Sequence, residues 1–232
     1  MSSKMAALVG AVVLSIANFS ACFAETSPTE PHELKHWYID PHDTVVQFFA
    51  TELGLKKVRG IFNSTYGSIQ YDGQSAETLK VHAEVDSDTV DTGIKMRNRS
   101  IKSDSFLKVS QYPFLVFDST RIVPGGPGHF RMYGNLKIRQ WTKEVVLDVN
   151  GPSAFAKTGR GNVCFTAHAT TKINRKEFGV NGSGPVIGDE IPIVIRVRVI
   201  EGDDPEAGTR EDLRRKSKED FEKNEEFKKL RH

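Results

Sequence analysis

The chain has 232 residues, with 32 Lys+Arg against 30 Asp+Glu and a net charge of +2. That length allows one domain with a sizeable core, while the even charge and the lack of a basic face with interleaved aromatics argue against a nucleic-acid binder. Only two cysteines are present, which excludes a disulfide-dense scaffold.

Residues 1–24 carry a single lysine, Lys4, then an apolar run from Met5 to Phe19 and the small-residue exit Ser20-Ala21-Cys22-Phe23-Ala24. This is the pattern of a secretory leader cut after Ala24. An uncleaved anchor, and lipidation at Cys22, stay open as other processing routes. Cleavage lowers the formal charge by one and leaves Cys164 alone, so the exported domain must hold by packing without an internal disulfide. Residues 25–36 are polar and proline-punctuated, a flexible arm.

Ordered structure is expected from Trp37-Tyr38-Ile39, followed by a turn at Asp40-Pro41-His42-Asp43. Strands are expected over 44–50, apolar enough to have both faces partly covered, over 58–62 and 67–71, and over 79–86, which alternates without a break. Gly60 marks a bend or bulge in the second of these. Asp91-Thr92-Gly93 stops the strand pattern, and 94–107 reads as the one helix, with Ile94, Arg97 or Asn98, Ile101 and Ser105 along one side. A strand over 114–120 and a glycine-rich loop over 124–128 lead to a hairpin. Its first arm, 129–138, puts Phe130, Met132, Leu136 and Ile138 on one face; its second, 144–149, does so with Val145, Leu147 and Val149. The polar stretch 139–143 connects them. Strands over 163–169 and 191–199 follow, separated by a long loop over 174–189 at a barrel mouth.

From Asp203 the chain carries nine Lys/Arg and ten Asp/Glu with few large apolar residues, a solvated helix or disordered tail. About eight alternating strands with one embedded helix define an all-β fold, an antiparallel barrel, since a parallel sheet would need a helix between most strand pairs. The inward candidates are Phe48, Phe62, Val81, Val85, Phe117, Met132, Leu136, Phe165, Ile193 and Ile195. Alternation alone leaves open whether they line a pocket or fill the barrel solid.

His32, His36 and His42 are near one another in sequence but read as arm and turn residues rather than metal ligands; His82, His129 and His168 stand isolated on outward positions. No serine occupies a Gly-x-Ser-x-Gly elbow.

Several motifs in order resemble the YceI-like family over residues 37–202: Tyr38-Ile39-Asp40-Pro41-His42; Val58-Arg59-Gly60-Ile61-Phe62; Val90-Asp91-Thr92-Gly93 with Arg97, Phe106 and Tyr112-Pro113; Gly134-Asn135-Leu136-Lys137-Ile138 with Thr142-Lys143-Glu144-Val145; Ile173-Asn174-Arg175-Lys176-Glu177-Phe178-Gly179; and Gly188-Asp189-Glu190-Ile191. Ser100, Ile101, Gln140 and Trp141 depart from the family pattern. The resemblance implies an eight-stranded, lipocalin-like barrel, usually periplasmic, holding a long-chain isoprenoid lipid such as a polyprenyl phosphate or isoprenoid quinone. It favours a pocket over a filled interior. No catalytic cofactor is implied; an enzyme acting on the bound lipid is the alternative. A membrane or protein donor or acceptor, and a homodimer, are left open.

In such a barrel Phe106, Trp141 and Phe178 would line or lid the mouth. Arg97, Arg99 and Lys102 on the helix and Arg175 in the closing loop could receive a polar or anionic head group. A solvated face or a helix-pinning salt bridge is the plainer reading of each. Arg97 and Arg175 are the preferred pair because both fall on family motif positions.

Overall fold

The computed structural model describes residues 33–208. The expected leader, most of the arm and nearly all of the charged tail lie outside the described residues. Twelve strands follow in chain order: β1 Lys35–Ile39, β2 Val45–Glu52, β3 Lys56–Phe62, β4 Thr65–Tyr71, β5 Lys80–Asp86, β6 Val90–Asp91, β7 Phe114–Gly126, β8 His129–Ile138, β9 Trp141–Asn150, β10 Ala156–Lys157, β11 Val163–Asn174 and β12 Glu190–Glu201. One α-helix, α1 Lys95–Lys102, stands between β6 and β7.

All pairings are antiparallel, and they close on themselves. The ring runs β11-β9-β8-β7-β5-β4-β1-β12 and returns to β11. Toward one end, β2 replaces β1 beside β12, and β3 pairs with β2 as β4 does with β1. The short β6 continues the β5 position beside β3. The short β10 likewise continues the β9 position beside β11. The result is a closed eight-stranded antiparallel barrel in which four wall positions are each built from two broken segments. Closure removes the open edges that an unpaired sheet would present.

The first break, at residues 40–44, is held against β12. Asp40 N–H donates to the Arg198 carbonyl at 2.9 Å. Arg198 N–H donates to Thr44 Oγ1 at 3.2 Å, and the Arg198 guanidinium pairs with Asp43. The second break falls at Asn63-Ser64, where both backbone N–H groups donate to Thr89 Oγ1. The corner is therefore there and not at Gly60, which keeps an unbroken register opposite Phe48. A Cβ on Gly60 would come within 2.2 Å of the Phe48 ring. The glycine gives a flat place for that ring to lie.

Gly134 does the same for Phe117, whose ring an added Cβ would meet at 2.3 Å. Such ring-over-glycine contacts set cross-strand packing and keep large side chains against the wall.

Three other expectations change. The helix ends at Lys102 and not near residue 107. Ser103 Oγ donates to the Ser100 carbonyl, and Ser103 itself is extended; serine hydroxyls compete for helix carbonyls in this way. The glycine-rich stretch at 124–126 belongs to β7, whose pairing with β8 shifts register at Ser119/Arg121 and Pro124/Gly126. The connection between β8 and β9 is only Arg139-Gln140, because Trp141 already pairs with Ile138.

The core falls into two clusters. One, at the end marked by β1 and β4, centres on Trp37, Tyr71, Phe130 and Phe165. Trp37 and Phe165 meet edge to face at 5.3 Å, Tyr71 and Phe165 at 5.8 Å, and Phe155 stacks on Trp37 at 5.9 Å. Trp37 Nε1 donates to the Tyr71 carbonyl at 3.1 Å, so the indole's one polar atom is satisfied. Burial pushes the Tyr71 phenol above its usual pKa, with the nearby Asp72 charge adding to the effect. This aromatic group closes the barrel floor. The second cluster, around Val46, Phe62, Ile138, Ile173 and Phe178, lies toward the other end.

The Gly134 contact predicts a coupled pair. Gly134→Ala should cost about 1–3 kcal/mol by overpacking. In a Phe117→Leu background the same change should cost less than half as much. Urea unfolding of the four proteins in the cycle reads the coupling directly.

Candidate functional site: an apolar lumen with a helix-covered mouth

Period-two alternation sends one side of every strand inward. Along β12, Ile193, Ile195, Val197 and Val199 face the interior; along β5, Val81, Ala83 and Val85 do so. These walls enclose a cavity of about 180 Å³ that exposes no polar surface. Phe48, Phe62, Val81, Val85, Phe117, Met132, Leu136, Phe165, Ile193 and Ile195 all line it. The sequence reading did not single out Ile39, Ile69, Tyr71, Val145 or Leu147, which also line it. Their alternation was visible, but not which strands bend far enough to meet across the lumen. Thr65 adds a polar atom on this wall: it is 3% exposed, and its hydroxyl has no hydrogen-bond partner among the described residues.

A second cavity of about 430 Å³ lies toward the mouth and shares Phe48, Phe62, Leu115, Ile138 and Ile193 with the first. The two therefore adjoin one another across those side chains. α1 and the stretch after it contribute Ile94, Met96, Arg97, Ser100, Ile101, Phe106 and Leu107, and the closing loop contributes Arg175, Val180, Ser183 and Ile187. No side chain of α1 is buried. The helix covers the opening, and its half-buried Ile101 packs against the upper core cluster.

The expected head-group residues separate sharply. Arg175 is 4% exposed, and its guanidinium is used up. Nε donates to the Gly188 carbonyl, Nη1 to those of Val180 and Gly182, and Nη2 to those of Gly184 and Ile187 and to Asp189 Oδ1. A guanidinium has five N–H groups, so none is left over for a ligand. This corrects the expectation that Arg175 receives a head group: the residue is the hub on which the closing loop folds. Arg97 is different. It borders the mouth cavity, is half-buried, and has no hydrogen-bond or ion-pair partner among the described residues. Lys102 is paired with Asp88 at 2.9 Å, and Arg99 is exposed on α1.

Of the three candidate mouth aromatics, only Phe106 borders the mouth cavity, its ring lying where a Cβ on Gly182 would clash at 2.4 Å. Phe178 is instead packed in the upper core cluster, and Trp141 is 47% exposed with its indole against Gly179. Neither lines the lumen or the mouth cavity. Arg139, which sequence reasoning missed, laces the mouth: Nη1 donates to the Gly179 carbonyl at 2.7 Å and to that of Phe106 at 3.3 Å. Arg139 has φ 57° in a two-residue turn, and nothing local in the sequence announces its partners.

The start of α1 is tied down by Asp91 and Asn98. Asp91 Oδ1 accepts from Gly93 N–H and from Asn98 Nδ2, while Asn98 Oδ1 accepts from Thr92 N–H and Oγ1. Those hydrogen bonds, chiefly the one from Asn98, hold the Asp91 carboxyl below its usual pKa. Among the described residues no group of three or more His, Cys, Asp or Glu is placed to share an ion; His32 lies outside them. His82 is not isolated, as its spacing suggested, since Nδ1 lies 2.6 Å from Asp118 and Nε2 lies 3.6 Å from Glu84.

A closed antiparallel barrel with an apolar lumen, floored by aromatics and opening beneath a short helix, defines a lipocalin-like protein. The chain belongs to the YceI-like family, whose model, described as a YceI-like domain, matches residues 37–199. A UPF0312 protein of Yersinia pestis is 26% identical over 161 residues, covering 67% of this chain and 80% of the relative. Another from Vibrio cholerae is 28% identical over 139 residues, covering 60% and 73%. Among solved structures, the YCEI protein of Campylobacter jejuni matches with a TM-score of 0.59 and 25% identity over 66% of this chain and 90% of its own. A polyisoprenoid binding domain from Saccharophagus degradans matches with a TM-score of 0.55 and 14% identity over 73% and 100%.

Two outcomes follow from this geometry. Arg175→Met should destabilise the protein by about 3–5 kcal/mol, because it strips donors from buried carbonyls. Arg97→Ala should stay within about 0.5 kcal/mol of the parent; thermal and urea unfolding compare them. For Asp91, the lowered folded pKa means its contribution is complete above the ordinary carboxylate pKa and is lost as pH falls through the folded value. The protection of amides 93–98, taken relative to intrinsic exchange at each pH, should therefore fall on acidification below about pH 4, and Asp91→Ala should show that lower protection already at neutral pH.

Proposed function

We propose that this barrel holds one long-chain isoprenoid lipid as an exported carrier or store, with its chain in the apolar lumen and its polar head at the mouth beside Arg97. The observation that carries the reading is the adjacency of the two cavities. A lumen without polar surface adjoins a wider opening with one unpaired cation at its border. Burying each methylene there is worth about 0.8 kcal/mol before the costs of binding, so chain length alone can supply affinity. A bare hydrocarbon chain has no such shelter in an aqueous compartment, which gives a covered barrel its use. The polyisoprenoid binding domain of Saccharophagus degradans, which shares the fold, supports the choice of ligand class. The leader pattern of residues 1–24 supports export to the periplasm. Turnover is not part of the proposal: the side chains with polar atoms around the lumen are Thr44, Thr65, Tyr71 and Thr171, and two of their hydroxyls are engaged with backbone groups.

The test is mass spectrometry of organic extracts from protein purified from its native host, where a prenyl lipid in near-equimolar amount is expected. Ala169→Phe, which places a ring in the lumen, should abolish that lipid, and Arg97→Ala should weaken binding of a polyprenyl phosphate about tenfold while changing binding of an uncharged prenyl alcohol less. Protein that carries no prenyl lipid and takes none up would overturn the reading.

A further inference from the structure

Among the described residues the three most exposed large apolar side chains are Leu55 at 91%, Met96 at 77% and Leu53 at 71%. All three belong to one end of the barrel. Leu53 and Leu55 form the turn between β2 and β3, and Met96 lies in the first turn of α1. Ile94 and Val186 are exposed beside them. The pieces are joined: Leu53 N–H donates to the Val186 carbonyl at 2.7 Å, Glu52 bridges to Ile187, and Glu52, Ile94, Met96 and Ile187 border the same mouth cavity. The opening is thus bordered by exposed apolar side chains. Leu53 is held at φ 52°, a conformation that bulky side chains rarely adopt, and the next residue, Gly54, stands in open space.

Charge tells what this rim fits. Over residues 52–59 and 88–108 there are eight Lys/Arg against four Asp/Glu, in a chain that is otherwise almost balanced. Of the four acids, Glu52 and Asp88 are paired with Lys56 and Lys102, and Asp91 is bound up with Asn98. Lys57, Arg59, Lys95, Arg97 and Arg99 have no ion-pair partner among the described residues. Projecting apolar side chains set among unpaired cations are the chemistry of a surface that enters an anionic lipid interface. The opposite end is closed by the Trp37, Tyr71 and Phe165 aromatic group.

We infer that the barrel docks mouth-first on an anionic bilayer, with Leu53, Leu55 and Met96 entering the interface and the surrounding Lys/Arg meeting lipid head groups. The inference rests on the lipid-holding reading for its purpose: docked this way, a prenyl chain passes between the acyl region and the lumen without crossing water. It adds the partner and the surface.

The test uses the full chain in flotation with vesicles of phosphatidylcholine alone and of phosphatidylcholine with phosphatidylglycerol. Wild type is expected to float with the anionic vesicles and to be released by salt. Leu53→Asp combined with Leu55→Asp should weaken that binding about tenfold or more. Neither leucine lines a cavity, and Asp accepts the left-handed backbone at position 53 better than Leu does. The unfolding midpoint should therefore match wild type, so that lost flotation reports the surface and not the fold. A double variant that floats as wild type does, equal binding to both vesicle types, or wild type that ignores both would each overturn the docking surface. Wild type that floats but carries no prenyl lipid would support the docking surface and overturn the lipid-holding reading, so the two failures are distinct.

Discussion

The pairing of β12 on both edges is the constraint on which everything else depends. From Cys164↔Ile200 to Asn174↔Glu190 it takes β11 along one side, and on the other it takes β1 and then β2. β11 is shared in a similar way by β9 and the two-residue β10, but there the second segment is short. The exchange beside β12 is possible because the turn at residues 40–44 is clamped to Arg198 by Asp43, Thr44 and the backbone of Asp40. With that seam closed, the inward faces of eight strand positions look at one another across a lumen. Without it, the same apolar faces would confront water along a sheet with two open edges.

The ends of the barrel solve opposite problems. The floor is aromatic and dry, with its one indole N–H satisfied. The mouth is built from irregular backbone, and its many carbonyls need donors. Arginines provide them: Arg175 collects the carbonyls of residues 180–188, and Arg139 ties Gly179 to Phe106. Two residues that look alike in a sequence, Arg97 and Arg175, thus end in different roles. One is spent on the loop and the other stays available at the opening. A guanidinium forks into several directions at once, and folding decides whether a loop's own carbonyls reach it first.

How much could be read beforehand follows from the range of each signal. Which side chains point inward was legible, as in Ile193 and Ile195 or Phe130 and Met132, because the strand period is two residues and local. The embedded helix was legible too, but its end was not, since Ser103 turns the chain by capturing a carbonyl three residues back. Trp141 and Phe178 were misplaced because their partners are tertiary: the indole lies against Gly179, and Phe178 packs in the upper core cluster. The role of Gly60 was misread as a corner because the sequence does not show that Phe48 lies across from it.

Composition and alternation, then, determined the antiparallel strands and their greasy faces, since those depend on neighbours one or two positions away. Whether the enclosed space would be filled or left open was decided only by the tertiary structure. That outcome turns on rings laid flat over glycines on adjacent strands, Phe48 on Gly60 and Phe117 on Gly134, and on residues as far apart as Thr44 and Arg198 meeting to set the barrel's girth. Distances between segments separated by most of the chain are not a property of any window of sequence.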